Sequence, residues 1–303
     1  MRGCRWSRST AALAIHVAHR LADQFPDGQL YVDVSASARV PTAEILAGFL
    51  RALGVPACEH PSDPAKAAVL FRDVAADQRL LVVLDNVHDV TRVRQLTPAA
   101  PGCGMLVTSR RVLLEMDVAT QVHVGALSQT ASLEMLSRLV GAARIDAERE
   151  AAAEVAHWCG HLPLALRAAG AKLSARPSWP IRALADRLRE ERLRLDELDF
   201  GEFSVRRAFA SSYQELTLSA NPIDQAAAAA LTRLGDHCPA LMDREDAARL
   251  LGCPAKEVEP LLEQLVDARL LESPAPGCYR MPELVRLFAR ERRNDGALTG
   301  EGR

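Results

Sequence analysis

The chain has 303 residues, 49% of them apolar and 25% charged, with a formal net charge of −2. That balance is the one expected of a globular protein of two or three domains, and it excludes a disordered tail. The near-neutral charge gives no global attraction to nucleic acid or anionic lipid.

From the N-terminus, Leu13, Val17 and Leu21 recur at helical spacing over 11–25, and Pro26-Asp27-Gly28 supplies a stop. Residues 29–34 read as a short strand. A helix is expected over 42–53, with Pro41 at its start and Gly54 at its end, and another near 65–76. Leu80-Leu-Val-Val-Leu84 is apolar without alternation, as in a strand covered on both faces. Residues 105–108 and 121–124 supply two further strand candidates. Helices alternating with buried strands imply an α/β fold with a parallel sheet.

Beyond residue 127 the pattern turns helical. One zone covers about 128–193, with a break near 159–163. A second covers about 205–290 and includes a helix at 256–270, a hairpin through Pro274–Gly277 and a closing helix, the order of a winged helix. The charged run 187–197 reads as a solvated helix joining the two zones. Domain limits of 1–126, 127–198 and 199–303 follow.

The seven cysteines form no C-x-x-C pair, which predicts reduced thiols. No apolar run reaches the ~18–20 residues needed to span a bilayer, so no membrane contact and a cytoplasmic location are expected. His157 and His161 flank a thiol but lack a further ligand in sequence. No G-x-S-x-G nucleophile motif and no aromatic-basic stripe occur.

The chemistry concentrates at three places. Asp85 closes a buried strand at the carboxyl edge of a parallel sheet, where such sheets bind ligands. A second apolar strand ends in Thr108-Ser109-Arg110, and an arginine there can reach a phosphate. Gly160-His-Leu-Pro163-Leu-Ala165 then puts a proline at a helix start.

With Leu13–Arg20, Phe25–Asp33, Leu81–Asn86, Thr108–Arg110, residues 160–165 and Gln264–Leu271 in this order, nearly the whole chain resembles the NB-ARC branch of the STAND class of P-loop NTPases, as found in bacterial SARP-type regulators. The resemblance implies a P-loop NTPase domain followed by a small helical domain and a winged-helix domain, which together clamp ADP and reopen with ATP. It implies ADP/ATP with Mg²⁺ as ligand. The carried-over site residues are Asp85, holding Mg²⁺ through water, with Arg110, Pro163 and Glu283. Self-association or another regulatory protein is an implied partner, and DNA contact through the winged helix is a minority reading.

Two departures matter. The family's loop ends Gly-Lys-Thr or Gly-Lys-Ser, because backbone N–H groups wrap the phosphates, the lysine neutralises them and the hydroxyl binds Mg²⁺. One register puts Thr10 and Ala11 at the lysine and hydroxyl positions; another puts Ser9 and Thr10 there. Neither supplies a lysine, and the first in the chain is Lys66. Impaired nucleotide binding is therefore expected, with Ser9 and Thr10 as the remaining loop contacts, and ATPase activity is left open. Read one base out of frame, codons for residues 3–8 can spell Gly-Val-Gly-Gly-Val-Gly, so an intact loop is expected in another frame.

The strand before the loop is also absent. It is expected to lie between the Asp85 strand and the 105–108 strand, leaving two ladders unpaired at about 1–3 kcal/mol per buried group. Near the end, Met281-Pro282-Glu283 stands where the family has Met-His-Asp; the proline lacks the donor for an ADP phosphate, and Glu283 keeps the acidic role.

The function expected is an ADP/ATP-binding regulatory switch module, in fragment form. The alternatives are a working ATP-hydrolysing switch and a winged-helix DNA-binding regulator.

Overall fold

A computed structural model of the protein describes residues 8–34, 40–87, 90–109, 120–236 and 241–300; for 8, 9 and 295–300 it describes the backbone alone. The chain divides into two compact units, 1–122 and 123–303.

The first unit runs α1 (Arg8–Arg20), β1 (Gly28–Asp33), α2 (Thr42–Ala52), α3 (Pro64–Ala75), β2 (Leu80–Asp85), α4 (Val90–Leu96) and β3 (Gly104–Val107). Local chemistry sets these limits. Asp63 caps α3 by accepting the Lys66 N–H at 2.8 Å, with Pro64 at the first helical position, where its missing N–H costs nothing. The strands form a parallel sheet in the order β1-β2-β3.

All six residues of β2 are buried. Val82 and Leu84 join Leu46, Leu50, Phe71, Val93 and Leu96 from α2, α3 and α4. Leu81 and Val83 face Ala14 and Ala18 of α1. The unbroken apolar run thus reflects two covered faces, as expected for a parallel sheet.

Three expectations are corrected in this unit. The helix ends at Arg20, followed by a 3-10 turn at Ala22–Gln24, and its inner stripe is Ala14, Ala18 and Leu21. Leu13 is 44% exposed. The inner face is therefore turned by one residue, about 100°, because alanines let the helix lie close on β2. No strand separates β2 from β3: Leu81 to Leu84 pair in register with Gly104 to Val107. The two ladders expected to lack partners satisfy each other, so the cost assigned to a missing central strand does not arise between them. Finally, 121–124 forms no strand, and Val122 is 73% exposed. The alternation Gln-Val-His-Val has period two but no neighbouring strand to receive its N–H and C=O groups.

The second unit opens with α5 (Gln129–Val140), α6 (Ala142–Ala147), α7 (Arg149–Trp158), α8 (Pro163–Ser174), α9 (Ile181–Arg189) and α10 (Glu191–Glu197). A two-residue hairpin pair, β4 (Asp199–Phe200) and β5 (Phe203–Ser204), leads to α11 (Val205–Thr217) and α12 (Pro222–Leu234). Then come β6 (Met242–Asp243), α13 (Arg244–Leu251), α14 (Ala255–Asp267), β7 (Glu272–Ala275), β8 (Cys278–Arg280) and α15 (Glu283–Gly300). The small antiparallel sheet is ordered β6-β8-β7. Helix α14 stops short of the expected residue 270, because Arg269 takes a left-handed conformation (φ 60°) and the Leu270 N–H turns back to the Leu265 carbonyl.

Two apolar clusters fill this unit. Leu136, Val155, Leu166, Leu184 and Leu195 belong to one, Leu231, Leu262, Leu265 and Tyr279 to the other. Helix α15 serves both, giving Leu284, Leu287 and Phe288 to the first and Val285 and Ala289 to the second.

The run 187–197 is not a solvated helix. It breaks at Glu190 into α9 and α10, and Arg194 and Glu197 are 1% and 4% exposed. Leu188, Leu195 and Leu198 pull the segment inward, and the charges go with them into ion pairs.

Candidate functional site

Strands β1 and β2 are both six residues long and both end in aspartate, and parallel pairing puts Asp33 beside Asp85. The ladder continues past the strands: Val34 N–H donates to the Asp85 carbonyl at 2.8 Å, Thr108 N–H to Leu84 at 2.9 Å and Val87 N–H to Thr108 at 2.9 Å. The carboxyl edge is consequently a fixed frame of polar side chains.

Asp85 is fully buried. Its carboxylate accepts from the Thr108 hydroxyl and, at 3.1 Å, from the Tyr31 hydroxyl. The Thr108 oxygen also accepts the Asn86 N–H at 3.1 Å. Asn86 holds a left-handed backbone conformation (φ 56°), tolerated by asparagine better than by most residues. Its Nδ2 donates to Asp33 at 3.2 Å and to Asp85 at 3.4 Å, while its buried Oδ1 has no partner. Thr108, at the end of the second apolar strand, is thus a neighbour of Asp85. Tyr31, Asp33 and Asn86 were not singled out from sequence; the equal strand lengths, each closed by aspartate, are the signal that could have found them.

The oxygens gathered here belong to two carboxylates and the Tyr31 and Thr108 hydroxyls, while the Asn86 amide turns its Nδ2 toward the carboxylates. Such a set suits a hard cation such as Mg²⁺ and not a thiolate-seeking metal. The orphaned Asn86 Oδ1 agrees with a polar ligand at this edge. Arg110 lies outside the described residues, as does the Ser9 side chain; Thr10 lies in the first turns of α1, half-buried.

Pro163 and Glu283 belong to the second unit. Pro163 is the first residue of α8, and Gly160 and His161 before it both have positive φ, which makes the sharp break. The break is tied down by Leu127 N–H donating to the His161 carbonyl (2.9 Å) and by a 3.0 Å hydrogen bond between the His161 ring and Ser132. A Cβ on Gly160 would stand 3.8 Å from Leu284, so the break and the start of α15 meet.

Glu283 opens α15 and accepts from Arg194 at 2.6 Å. Arg194 also donates to the carbonyls of Leu188 and Arg189, and its guanidinium lies 4.3 Å from the centre of the Trp158 ring. Nearby, Glu197 binds Lys172 and Arg187. Burial pushes the Glu197 carboxyl up, but the hydrogen bonds from Arg187 and Lys172 outweigh it and hold the group below the usual carboxylate range. Sequence reasoning missed Arg194 because an arginine in a charged helix looks like solvent-facing surface. Burial of Cys159 raises its thiol well above the usual range, which leaves it inert. Among the described residues no cluster of three His, Cys, Asp or Glu that could hold a metal occurs, and no helix is long and apolar enough to cross a membrane.

No protein-family model matches the chain. It is 44% identical over 285 residues to the regulatory protein AfsR of Streptomyces griseus and 43% identical to AfsR of Streptomyces coelicolor, in each case covering 92% of this chain. The chain spans 28% of the length of these curated relatives. It is also 30% identical over 189 residues, 60% of its length, to a probable disease resistance protein of Arabidopsis thaliana, of which it matches 21%.

Proposed function

We propose that the chain is an ADP/ATP-binding regulatory switch module of the STAND/NB-ARC type, weakened in nucleotide binding by its lysine-free loop. The observation that carries this reading is Asp85, buried at the carboxyl edge of a parallel sheet and hydrogen-bonded by Thr108 from the adjacent strand. In a P-loop site such a carboxylate orients water on Mg²⁺, and the metal, when bound, neutralises phosphate charge. Asp85 and Thr108 would hold that water shell. Similarity to two regulatory proteins over most of the chain, and to a plant disease resistance protein, supports a role in signalling or transcriptional control. The nucleotide-binding, helical and winged-helix segments of the family are our reading of 1–126, 127–198 and 199–303. A DNA-reading role for the last segment is disfavoured: the charged side chains of α14 are Lys256 against Glu257, Glu259, Glu263 and Asp267, which repel a phosphate backbone.

Equilibrium binding of labelled ADP and ATP, with and without Mg²⁺, tests the reading. Binding is expected to be weak and Mg²⁺-dependent, and Asp85→Ala should weaken ATP more than ADP. Because β2 and β3 pair directly, the repair needs no added strand: replacing residues 3–10 with Gly-Val-Gly-Gly-Val-Gly-Lys-Thr should raise ADP affinity, and ADP at a hundredfold excess over Kd should then stabilise the fold by about 2.7 kcal/mol. If the parent chain already melts higher with ADP, Ser9 and Thr10 carry the phosphate contact. No ADP or ATP binding by the repaired chain would rule the switch out.

A further inference from the structure

We infer that residues 123–127, by which the chain enters the second unit, form a releasable strap held by Arg269 and His161; its regulatory use rests on the switch reading above. Among the described residues only Asn86, His161 and Arg269 are left-handed without being glycine. Such a backbone is strained, and strain persists where the surrounding structure holds it in place. Both of the second unit's examples grip this one stretch. Arg269 Nη1 donates to the His123 ring at 2.6 Å, across 146 residues of sequence, and the His161 carbonyl accepts the Leu127 N–H at 2.9 Å.

Neither position needs its side chain for the turn alone. The end of α14 requires a left-handed residue so that the Leu270 N–H can return to the Leu265 carbonyl, and glycine takes that conformation without strain. An arginine there reaches the strap. At the other tie the His161 ring is 3.0 Å from the Ser132 hydroxyl, which itself donates to the Ser128 carbonyl at 2.9 Å, so the ring steadies the cap of α5 where the strap ends. Between the ties His123, Val124, Gly125 and Ala126 are exposed, and only Leu127 packs on an apolar cluster. A stretch fastened at two points and otherwise solvated opens locally at small cost. Movement of the first unit relative to the second must act through it, because it is the covalent connection.

Limited cleavage of the full chain by a protease that cuts beside apolar residues, which suits Val124 and Leu127, tests the strap when paired with thermal melts. Arg269→Gly and His123→Ala are each expected to be cut about three- to tenfold faster than the parent between 121 and 127, and the double variant no faster than the quicker single one. Arg269→Gly should melt no lower than the parent, since glycine relieves the strain. His161→Gly, which keeps the carbonyl but loses the ring from Ser132, should speed hydrogen exchange of the Leu127 amide by a like factor. Parent-like cleavage in Arg269→Gly would overturn the strap, as would unchanged Leu127 exchange in His161→Gly. Fast cleavage of Arg269→Gly with a lower melt would overturn it too, because the fold itself would have opened. In the loop-repaired chain ADP and ATP should give different rates of strap cleavage; equal rates with both nucleotides bound would overturn its regulatory use. A repaired chain that binds neither nucleotide, with the Arg269 and His123 variants behaving as expected, would sink the switch reading alone.

Discussion

The Thr108 hydroxyl is shared between two backbone segments: it donates to the buried Asp85 carboxylate and accepts the Asn86 N–H. Valine has the same shape and no hydroxyl. Thr108→Val therefore removes a partner from a buried acceptor and a buried donor at once, and should destabilise the chain by about 1–3 kcal/mol. Urea unfolding checks this, and a midpoint unchanged from the parent would show that Thr108 is not the tie between β2 and the segment after β3. The same residue pair shows how far sequence reached at this scale. Asp85 and Thr108 were legible because each closes an apolar run. Asp33 closes one as well, but its importance depends on strand register, which is a property of two segments and not of either alone.

At the scale of elements, α15 is the piece on which the second unit turns, since it packs into both of that unit's clusters. Arg194 holds its first residue while fully buried between two carbonyls and the Trp158 face. Arg194→Ala removes the nearest partner of Glu283, which keeps Arg286 at 3.8 Å, leaves the Leu188 and Arg189 carbonyls without this donor, opens a void beneath Trp158 and should cost about 1–3 kcal/mol; Arg194→Lys should recover only part, because an ammonium lacks the planar fork. Trp158 fluorescence should shift in both variants, and an unchanged spectrum would contradict the contact. The other side of α15 is limited by Gly235. A Cβ there would stand 2.7 Å from Ala289 Cβ and 3.1 Å from the Arg290 nitrogen, so helix backbone and not a flexible tip must yield. Gly235→Ala should thus destabilise by about 1–3 kcal/mol despite the entropy that alanine normally saves; a thermal melt at or above that of the parent would refute the close approach.

For the whole molecule, charge behaves differently from its near-zero sum. Glu197 is held low by Arg187 and Lys172 against the upward push of burial, and Glu191 is held low by the hydrogen bond from Arg286 and by Arg290. Carboxyls with depressed folded-state pKa stabilise the fold above the ordinary value of 4.5 and lose that contribution as pH falls through the folded values. Urea midpoints should accordingly be flat from neutrality to about pH 5 and fall steeply below it. Glu191→Gln should flatten part of that slope, and a slope identical to the parent would remove the Arg286 pair from the account.

What sequence alone determined was composition class, the parallel β2 with two covered faces, the helical character after residue 127 and the closing hairpin and helix, because periodicity and apolar runs report local burial directly. Tertiary structure decided the rest. Strand neighbours are chosen by which ladders can satisfy one another, so β2 met β3 with nothing between them, and 121–124 became no strand. Helix facing followed the size of the side chains that fit beside β2, which selected alanines over Leu13. Buried polar groups depended on partners from other segments: Arg194 donates to Glu283, and Asn86 donates to Asp33, pairs that only folding brings within hydrogen-bond reach.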